Sequence, residues 1–146
     1  MRVAKITADR FDIGAALAPL YDMGGGAVAS FTGIARADNA IIAMELEHYP
    51  AMTAAALDAL IDEAHARWAL IGCVLIHRVG RINVGEEIVL VGTASAHRAE
   101  ALAACAFLID RLKTDAPFWK KEIYADGRAQ WVEAKASDDV AGAKWK

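Results

Sequence analysis

The sequence lacks a long apolar stretch and has few cysteines. No run approaches the ~20 consecutive apolar residues that a membrane-spanning helix requires, and residues 1–11 have no continuous apolar core typical of a secretory signal. The two cysteines, Cys73 and Cys105, lie among apolar neighbours without CxxC spacing, which indicates buried free thiols in a reducing compartment. We therefore expect a cytoplasmic protein that does not enter a membrane.

Motifs for metal, phosphate-loop and nucleophile chemistry are also missing. The four histidines show neither an HExxH motif nor paired ligand spacing, so we expect neither a metal site nor a bound cofactor. No GxSxG occurs and neither cysteine is flanked by cations, which gives no support to a serine or cysteine nucleophile. The glycine run 24–26 precedes a strand and no Gly-Lys-Ser/Thr follows it, which favours a flexible lead-in over a phosphate loop.

An overall excess of positive charge is absent as well. The net charge of −3 gives no general attraction to nucleic acid, so the local cation clusters suit a small anionic ligand better than a polyanion. What the chain does have is apolar surface, because a hydrophobic fraction of 56% and a mean hydropathy of +0.25 are high for a soluble monomer. We expect part of that surface to be buried against a partner or a second copy of the chain.

Length and periodicity predict one α+β domain with a polar tail at 136–146. The 146 residues can bury a real core, and no linker or repeat divides them. Strands predicted at 27–35 and 41–49 are separated by a short polar turn, which favours a hairpin. The predicted order is β-α-β-β-α-β-β-α-β-β with mainly antiparallel strands, and the tail forms a loosely held helix. The other predicted strands are 2–7, 73–79, 87–93, 119–124 and 130–134, and the helices are 13–21, 51–68 and one that follows residue 95.

The chain is organised around residues 93–122. Residues 101–109 form an unbroken apolar run, and a helix that is apolar on every side is expected to be the buried centre of the fold. Ser95 is well placed as the N-cap of this helix, which puts His97 and Arg98 in its first turn. Free N–H groups there, together with both side chains, could hold a phosphate, and an ordinary surface position of His97 is the alternative.

Cations also follow this helix. Lys113 lies near its C-terminus, where a cation either complements the helix dipole or serves a site. Lys120 and Lys121 lie on opposite faces of the next strand, so one of them is expected to face solvent. Fifteen residues at a rise of ~1.5 Å each put Arg98 about 22 Å from Lys113. Either two unrelated basic patches exist or a second subunit completes one composite site, and the surplus of apolar surface favours the composite site.

Five short motifs occur together between residues 26 and 135. They are Phe31-Thr32-Gly33 with Arg36; Leu46-Glu47-His48-Tyr49-Pro50 with Met52; Ile76-His77-Arg78-Val79-Gly80; Ser95-Ala96-His97-Arg98; and Lys113-Thr114 with Ala116-Pro117-Phe118-Trp119-Lys120. In order and approximate spacing they resemble the catalytic, or large, subunit of molybdopterin synthase. Two departures concern substrate detail: many members of that family have a basic residue where this chain has Ile34-Ala35, and the loop after Arg36 is short.

The resemblance implies an α/β-hammerhead-type fold and a homodimer that carries one small ubiquitin-like subunit at each end. It implies that the C-terminal Gly-Gly of that sulfur-carrier partner bears a thiocarboxylate. The family transfers two sulfurs to cyclic pyranopterin monophosphate, which forms the dithiolene of molybdopterin in molybdenum cofactor biosynthesis. The family's motif residues correspond here to Arg36, His97, Arg98, Lys113 and Lys120, with Lys121 and Glu122 beside them.

The chemistry of these side chains agrees with such a substrate. A phosphate-bearing pterin needs cations and N–H donors, and acyl sulfur transfer develops oxyanion character that a lysine stabilises or protonates. We expect Lys113 to contact the thiocarboxylate terminus and Lys120 to do acid–base work, whereas His77-Arg78 is expected to be structural. The alternatives are another transferase or hydrolase acting on a phosphorylated small molecule, and a non-catalytic subunit that only binds a partner's tail.

Overall fold

The computed structural model describes residues 1–38, 40–132 and 136–145. It confirms the predicted α+β class with mainly antiparallel strands. The elements that it describes are, in order, β1 (Arg2–Thr7), α1 (Ile13–Tyr21), β2 (Ala27–Ile34), β3 (Ile41–His48), α2 (Pro50–Arg67), β4 (Leu70–Arg78), β5 (Gly80–Asn83), β6 (Glu87–Ser95), α3 (Arg98–Asp115), β7 (Phe118–Tyr124), β8 (Ala129–Val132) and α4 (Ala136–Ala143). The predicted strand at 130–134 extends into residues 133–134, which lie outside the described part.

The described strands form two four-stranded sheets. The first has the order β1-β4-β6-β2, in which β1 runs parallel to β4 and the other pairs are antiparallel; the second has the order β5-β3-β7-β8 and is antiparallel. The predicted hairpin of strands 27–35 and 41–49 is wrong, because β2 pairs with β6 whereas β3 pairs with β5 and β7. The chain therefore crosses from one sheet to the other between β2 and β3. The predicted order also lacked β5, a four-residue strand with one buried side chain, Ile82.

The first sheet is covered on both faces, which explains why its central strands β4 and β6 are almost continuously apolar. On one face α2 and α3 pack around Leu57, Leu75 and Phe107, which are each 0% exposed. On the other face α1 places Leu20 against Val74. Within the described residues, no helix is long and apolar enough to cross a bilayer.

Helix α3 lies at the centre of the fold, but one side of it faces solvent. Phe107 and Leu108 are fully buried against the first sheet and α2, whereas Leu102 is 60% exposed. Ala99 and Ala106 are exposed on the same side as Leu102, because residues three and four positions apart share a helix face. These three residues form an exposed apolar stripe, the α3 stripe, and the expectation of a helix buried all round is therefore wrong on this side.

The start of α3 also differs from the prediction. Ser95 is not the N-cap, because it is the last residue of β6 and its buried hydroxyl donates to the Ala69 carbonyl oxygen at 2.8 Å. His97 takes the N-cap position and makes no side-chain cap hydrogen bond. A second contact joins the same strand and helix, since the Thr93 hydroxyl donates to the Ala101 carbonyl oxygen at 2.7 Å. The direction of α3 is thus set by β6.

An aromatic contact holds the C-terminal tail to α3. The Trp145 ring lies edge-on against Trp68 and Phe107, with ring centroids 5.7 and 5.8 Å apart. Its indole N–H donates to the Asp110 carboxylate at 2.7 Å. The tail contains the short helix α4 and is attached more firmly than the expected loosely held helix.

Candidate functional site

A cavity of about 250 Å³ lies where the second sheet meets the C-terminal end of α3. Lys113 enters it from the last turn of α3, and Lys120 enters it from β7. Lys120 is placed there by the sheet, in which it lies opposite Leu46 of β3 and Val132 of β8. The other residues that line this space, the lysine cavity, are Met44, Leu46, His77, Ile88, Leu112, Ala116, Phe118, Val132 and Asp138.

The structure therefore brings the two predicted catalytic lysines together. Their surroundings are mostly apolar, and removing a cation from water costs free energy that a nearby anion can offset. Asp138 of α4 brings one carboxylate to the same cavity. An arrangement of two ammonium groups and an apolar wall is suited to a carboxylate or thiocarboxylate on an apolar or slender carrier.

Lys121 lies on the face of β7 opposite Lys120. Its ammonium nitrogen is 3.4 Å from Glu45 Oε2 and 5.2 Å from the centre of the Trp131 ring. It does not line the lysine cavity. The structure therefore does not bring this predicted binding residue to the lysine pair within one copy of the chain.

Glu122 lies two residues after Lys120 and so shares its face of β7. Its carboxylate accepts a hydrogen bond from the Tyr124 hydroxyl at 3.4 Å. Glu122 is not among the described residues that line the cavity. It is a neighbour of the lysine pair along the strand rather than a wall of the cavity.

Arg36 leaves the first sheet at the end nearer the lysine cavity. In the β2–β6 ladder Ile34 lies opposite Glu87, which is adjacent to the cavity residue Ile88. The Arg36 guanidinium is exposed and forms an ion pair with Asp38 at 2.8 Å. Because an exposed pair of this kind contributes only about 0–1 kcal/mol, an anionic ligand can readily replace Asp38.

His97 and Arg98 lie at the opposite end of α3. Both side chains are exposed, at the N-cap and the first residue of the helix. The helix rises ~1.5 Å per residue, so Arg98 stands about 22 Å from Lys113 along the axis. One copy of the chain therefore does not bring these predicted phosphate-binding residues to the lysine cavity.

The glycine run packs against the segment that leads to His97. A Cβ atom on Gly25 would lie 2.6 Å from the Ser95 carbonyl oxygen, and one on Gly26 would collide with the Ala96 carbonyl oxygen. Glycine is needed at both positions because two backbone segments approach closely there. The expected flexible lead-in is instead a tight backbone contact that supports the start of α3.

The cysteines have no part in this chemistry. Cys73 and Cys105 are free and buried, and burial raises the pKa of the Cys73 thiol to about 12 and that of Cys105 to about 11. Both stay protonated near neutral pH and are poor nucleophiles. Within the described part of the chain, no group of three or more His, Cys, Asp or Glu side chains is arranged to hold a metal ion.

His77 also lines the cavity, although the sequence predicted only a structural role for it. Its ring is buried, stacks on Phe118 with centroids 3.9 Å apart, and lines the cavity with Lys113. Burial lowers the pKa of His77 to about 4, and the charge of Lys113 acts in the same direction, so the ring is neutral near pH 7. The one sequence feature that pointed to His77 was its position in the motif Ile76-His77-Arg78-Val79-Gly80.

Comparisons with known proteins agree with those motifs. Residues 6–115 match the family described as MoaE protein. The molybdopterin synthase catalytic subunit of Cereibacter sphaeroides is 49% identical over 148 residues, which cover 99% of this chain and 100% of that protein. The solved structure of the molybdopterin biosynthesis MoaE protein from Burkholderia ambifaria is 46% identical with a TM-score of 0.84, and the match covers 99% of this chain and 98% of that one.

A more distant solved structure shares the fold. It is the complex of subunits 1 and 2 of molybdopterin-converting factor from Helicobacter pylori, with a TM-score of 0.78 at 20% identity over 90% of each chain. The family match extends over most of the sequence, and the nearer relatives correspond to it almost from end to end. The chain therefore belongs to the MoaE protein family, the catalytic subunits of molybdopterin synthase.

Proposed function

We propose that this chain transfers sulfur to cyclic pyranopterin monophosphate from the C-terminal thiocarboxylate of a small partner that ends in Gly-Gly. The main support for this proposal is the lysine cavity, which is lined by Lys113 from α3 and Lys120 from β7. At about 250 Å³, it is smaller than the ~300–1,000 Å³ pockets that enclose drug-sized ligands. It therefore suits the slender end of a peptide, with the bulkier pterin at its mouth. The free thiols Cys73 and Cys105 favour a reducing cytoplasm as the place of reaction.

The two lysines divide the chemistry between them. The thiocarboxylate sulfur attacks a side-chain carbon of the pterin, and the oxygen that it replaces leaves as water with a proton from Lys120. Water then adds to the acyl carbon of the resulting thioester and the acyl carbon–sulfur bond breaks. The sulfur stays on the pterin, and the partner leaves with an ordinary carboxylate. Lys113 binds the thiocarboxylate and stabilises the oxyanion that forms when water adds.

A second copy of the chain supplies the phosphate-binding groups. The α3 stripe, with Leu102 at its centre, is an exposed apolar surface on the helix that connects the two cationic regions. In a two-fold pair packed through the Ala106 end of this stripe, with the axis perpendicular to the helices, the two α3 helices run antiparallel. The first turn of one α3, with His97 and Arg98, then lies beside the last turn of the other, with Lys113.

The remaining predicted residues take different places in this proposal. Arg36 exchanges Asp38 for the substrate phosphate, which it holds together with His97 and Arg98. Glu122 lies on the Lys120 side of β7 and borders the mouth of the cavity. Lys121 is held by Glu45 on the other face, so we assign it no contact with substrate in its own copy.

Reconstitution with a thiocarboxylated partner tests the proposal. The dimeric chain, the partner and cyclic pyranopterin monophosphate are combined, and dithiolene product is measured by mass spectrometry. Lys120→Ala is expected to lower turnover by about 100-fold or more, while size-exclusion chromatography still shows the dimer and its bound partner. Lys5→Ala, the same change at an exposed position of β1, is expected to leave turnover unchanged. Normal product formation by Lys120→Ala would remove that lysine from the mechanism.

A further inference from the structure

The His77 side chain has a fixed orientation at the wall of the lysine cavity. It belongs to β4, is 6% exposed, and stacks on Phe118 with an angle of 17° between the ring planes. A buried ring that is stacked in this way cannot turn freely, so the directions of its two nitrogens are set by the fold. The contacts of each nitrogen therefore decide what the ring can do.

The hydrogen-bond partner of Nδ1 identifies the tautomer. Nδ1 lies 2.7 Å from the carbonyl oxygen of Arg78. A carbonyl oxygen only accepts hydrogen bonds, so the proton is on Nδ1, and the neutral ring presents Nε2 as an acceptor. Since Nδ1 is directed at the backbone and the residue lines the cavity, Nε2 on the opposite edge is the nitrogen left to meet a group in the cavity.

The groups around the ring keep it neutral. Among the described residues, the titratable groups that line the cavity with it are Lys113 from α3, Lys120 from β7 and Asp138 from α4, and His48 of β3 lies near the Phe118 ring on which His77 stacks. Burial is the main cause of the low pKa of about 4, and the Lys113 and His48 charges add to it. A neutral acceptor holds an ammonium group without cancelling its charge, whereas a carboxylate in the same place would compete with an anionic tail.

We propose that His77 is a positioning residue for Lys113, whose ammonium group donates a hydrogen bond to His77 Nε2 and is thereby directed at the acyl oxygen of the partner's thiocarboxylate. This inference rests on the proposed function for the identity of the acyl group. Lysine has a flexible four-carbon stem, and the stacked ring gives its charged end a fixed point of attachment. Such control matters because a misplacement of ~1 Å in a catalytic site can cost about 100-fold in rate.

A matched pair of substitutions separates the two nitrogens. His77→Asn keeps a donor for the Arg78 carbonyl and removes the Nε2 acceptor, whereas His77→Gln can place an amide oxygen near the Nε2 position. In the reconstituted enzyme we expect His77→Asn to lower kcat about 10- to 100-fold with an unchanged KM for the pterin, and His77→Gln to recover most of the rate. Equal losses in both variants, together with equally lowered melting temperatures, would mean a structural role and would overturn the proposal.

Nitrogen-15 NMR gives a test that does not depend on how the His77 variants fold. We expect His77 to remain the neutral Nδ1–H tautomer from pH 8 to about pH 5, since its pKa is about 4, and its Nε2 resonance to shift in Lys113→Met. A proton on Nε2, or an Nε2 resonance that Lys113→Met leaves in place, would contradict the contact. Full turnover by Lys113→Met would instead refute the proposed role of Lys113, so the two failures are distinguishable.

Discussion

Mixed dimers test whether two copies of the chain build one site. The lysine cavity contains Lys113 and Lys120, and Arg98 of the same copy stands about 22 Å from Lys113 along α3. A composite site therefore takes its lysines from one copy and Arg98 from the other. Arg98→Ala and Lys120→Ala are each expected to be inactive as homodimers. A heterodimer with one copy of each variant, however, has one site in which both residues are intact.

The expected activity follows from the number of intact sites. When equal amounts of the two variants exchange subunits at random, about half of the dimers are heterodimers and half of their sites are intact, so the mixture should reach about a quarter of wild-type activity. Heterodimers isolated through two different affinity tags should reach about half. A site built within one copy predicts no recovery, because every site would then lack one of the two residues.

The double variant Arg98→Ala/Lys120→Ala, paired with the wild-type chain, is the matched control. A composite site leaves this heterodimer without an intact site, whereas a site within one copy leaves it with half of the wild-type activity. The assay is dithiolene formation in a single turnover with saturating thiocarboxylated partner. No recovery in the first heterodimer together with half activity in the control would refute the composite site.

Three single substitutions test other parts of the structure. Gly25→Ala would put a Cβ 2.6 Å from the Ser95 carbonyl oxygen, so steady-state kinetics should show a raised KM for the pterin with a smaller change in kcat. Phe107→Ala removes a fully buried side chain and leaves a cavity, so urea denaturation should show a free energy of unfolding lower by about 3–5 kcal/mol. The hydrogen bond from Arg10 lowers the pKa of Glu87 to about 2 in the folded protein. The ionised Glu87 therefore stabilises the fold fully at pH values above its unfolded-state pKa of ~4.3, and this stabilisation is lost as the pH falls towards 2. Thermal melting should therefore show a larger loss of stability for wild type than for Glu87→Gln between about pH 5 and pH 2.

Local patterns predicted most elements but not how the strands pair. The bounds of β1 and α1 were predicted correctly, since strand alternation and helical spacing are properties of neighbouring residues. The partner of β2 is β6, which lies far along the chain, and α3 packs on both strands. Ser95 illustrates the same limit, because a serine before a helix resembles an N-cap until the buried carbonyl of Ala69 is known.

The candidate site was predictable in its residue types and less so in its geometry. Alternation along β7 put Lys120 and Lys121 on opposite faces but was compatible with either lysine facing the cavity. The β3–β7 ladder decides between them, since it places Lys120 opposite the buried Leu46 and leaves Lys121 beside Glu45. The motifs identified both lysines, and the pairing of two strands selected the one that meets Lys113.

His77 marks the limit of what the sequence could show about this site. A histidine at the end of an apolar strand has the sequence environment of a core residue. His77 does have core contacts, since its ring is hydrogen-bonded to the Arg78 carbonyl and stacked on Phe118. The same residue also lines the cavity that contains Lys113. These neighbours come from β4, β7 and α3, so only the assembled fold makes the ring a neutral acceptor at a cationic site. The contacts with Arg78 and Phe118 are thus what the proposed positioning of Lys113 depends on, because they fix the tautomer of His77 and the direction of its Nε2 acceptor.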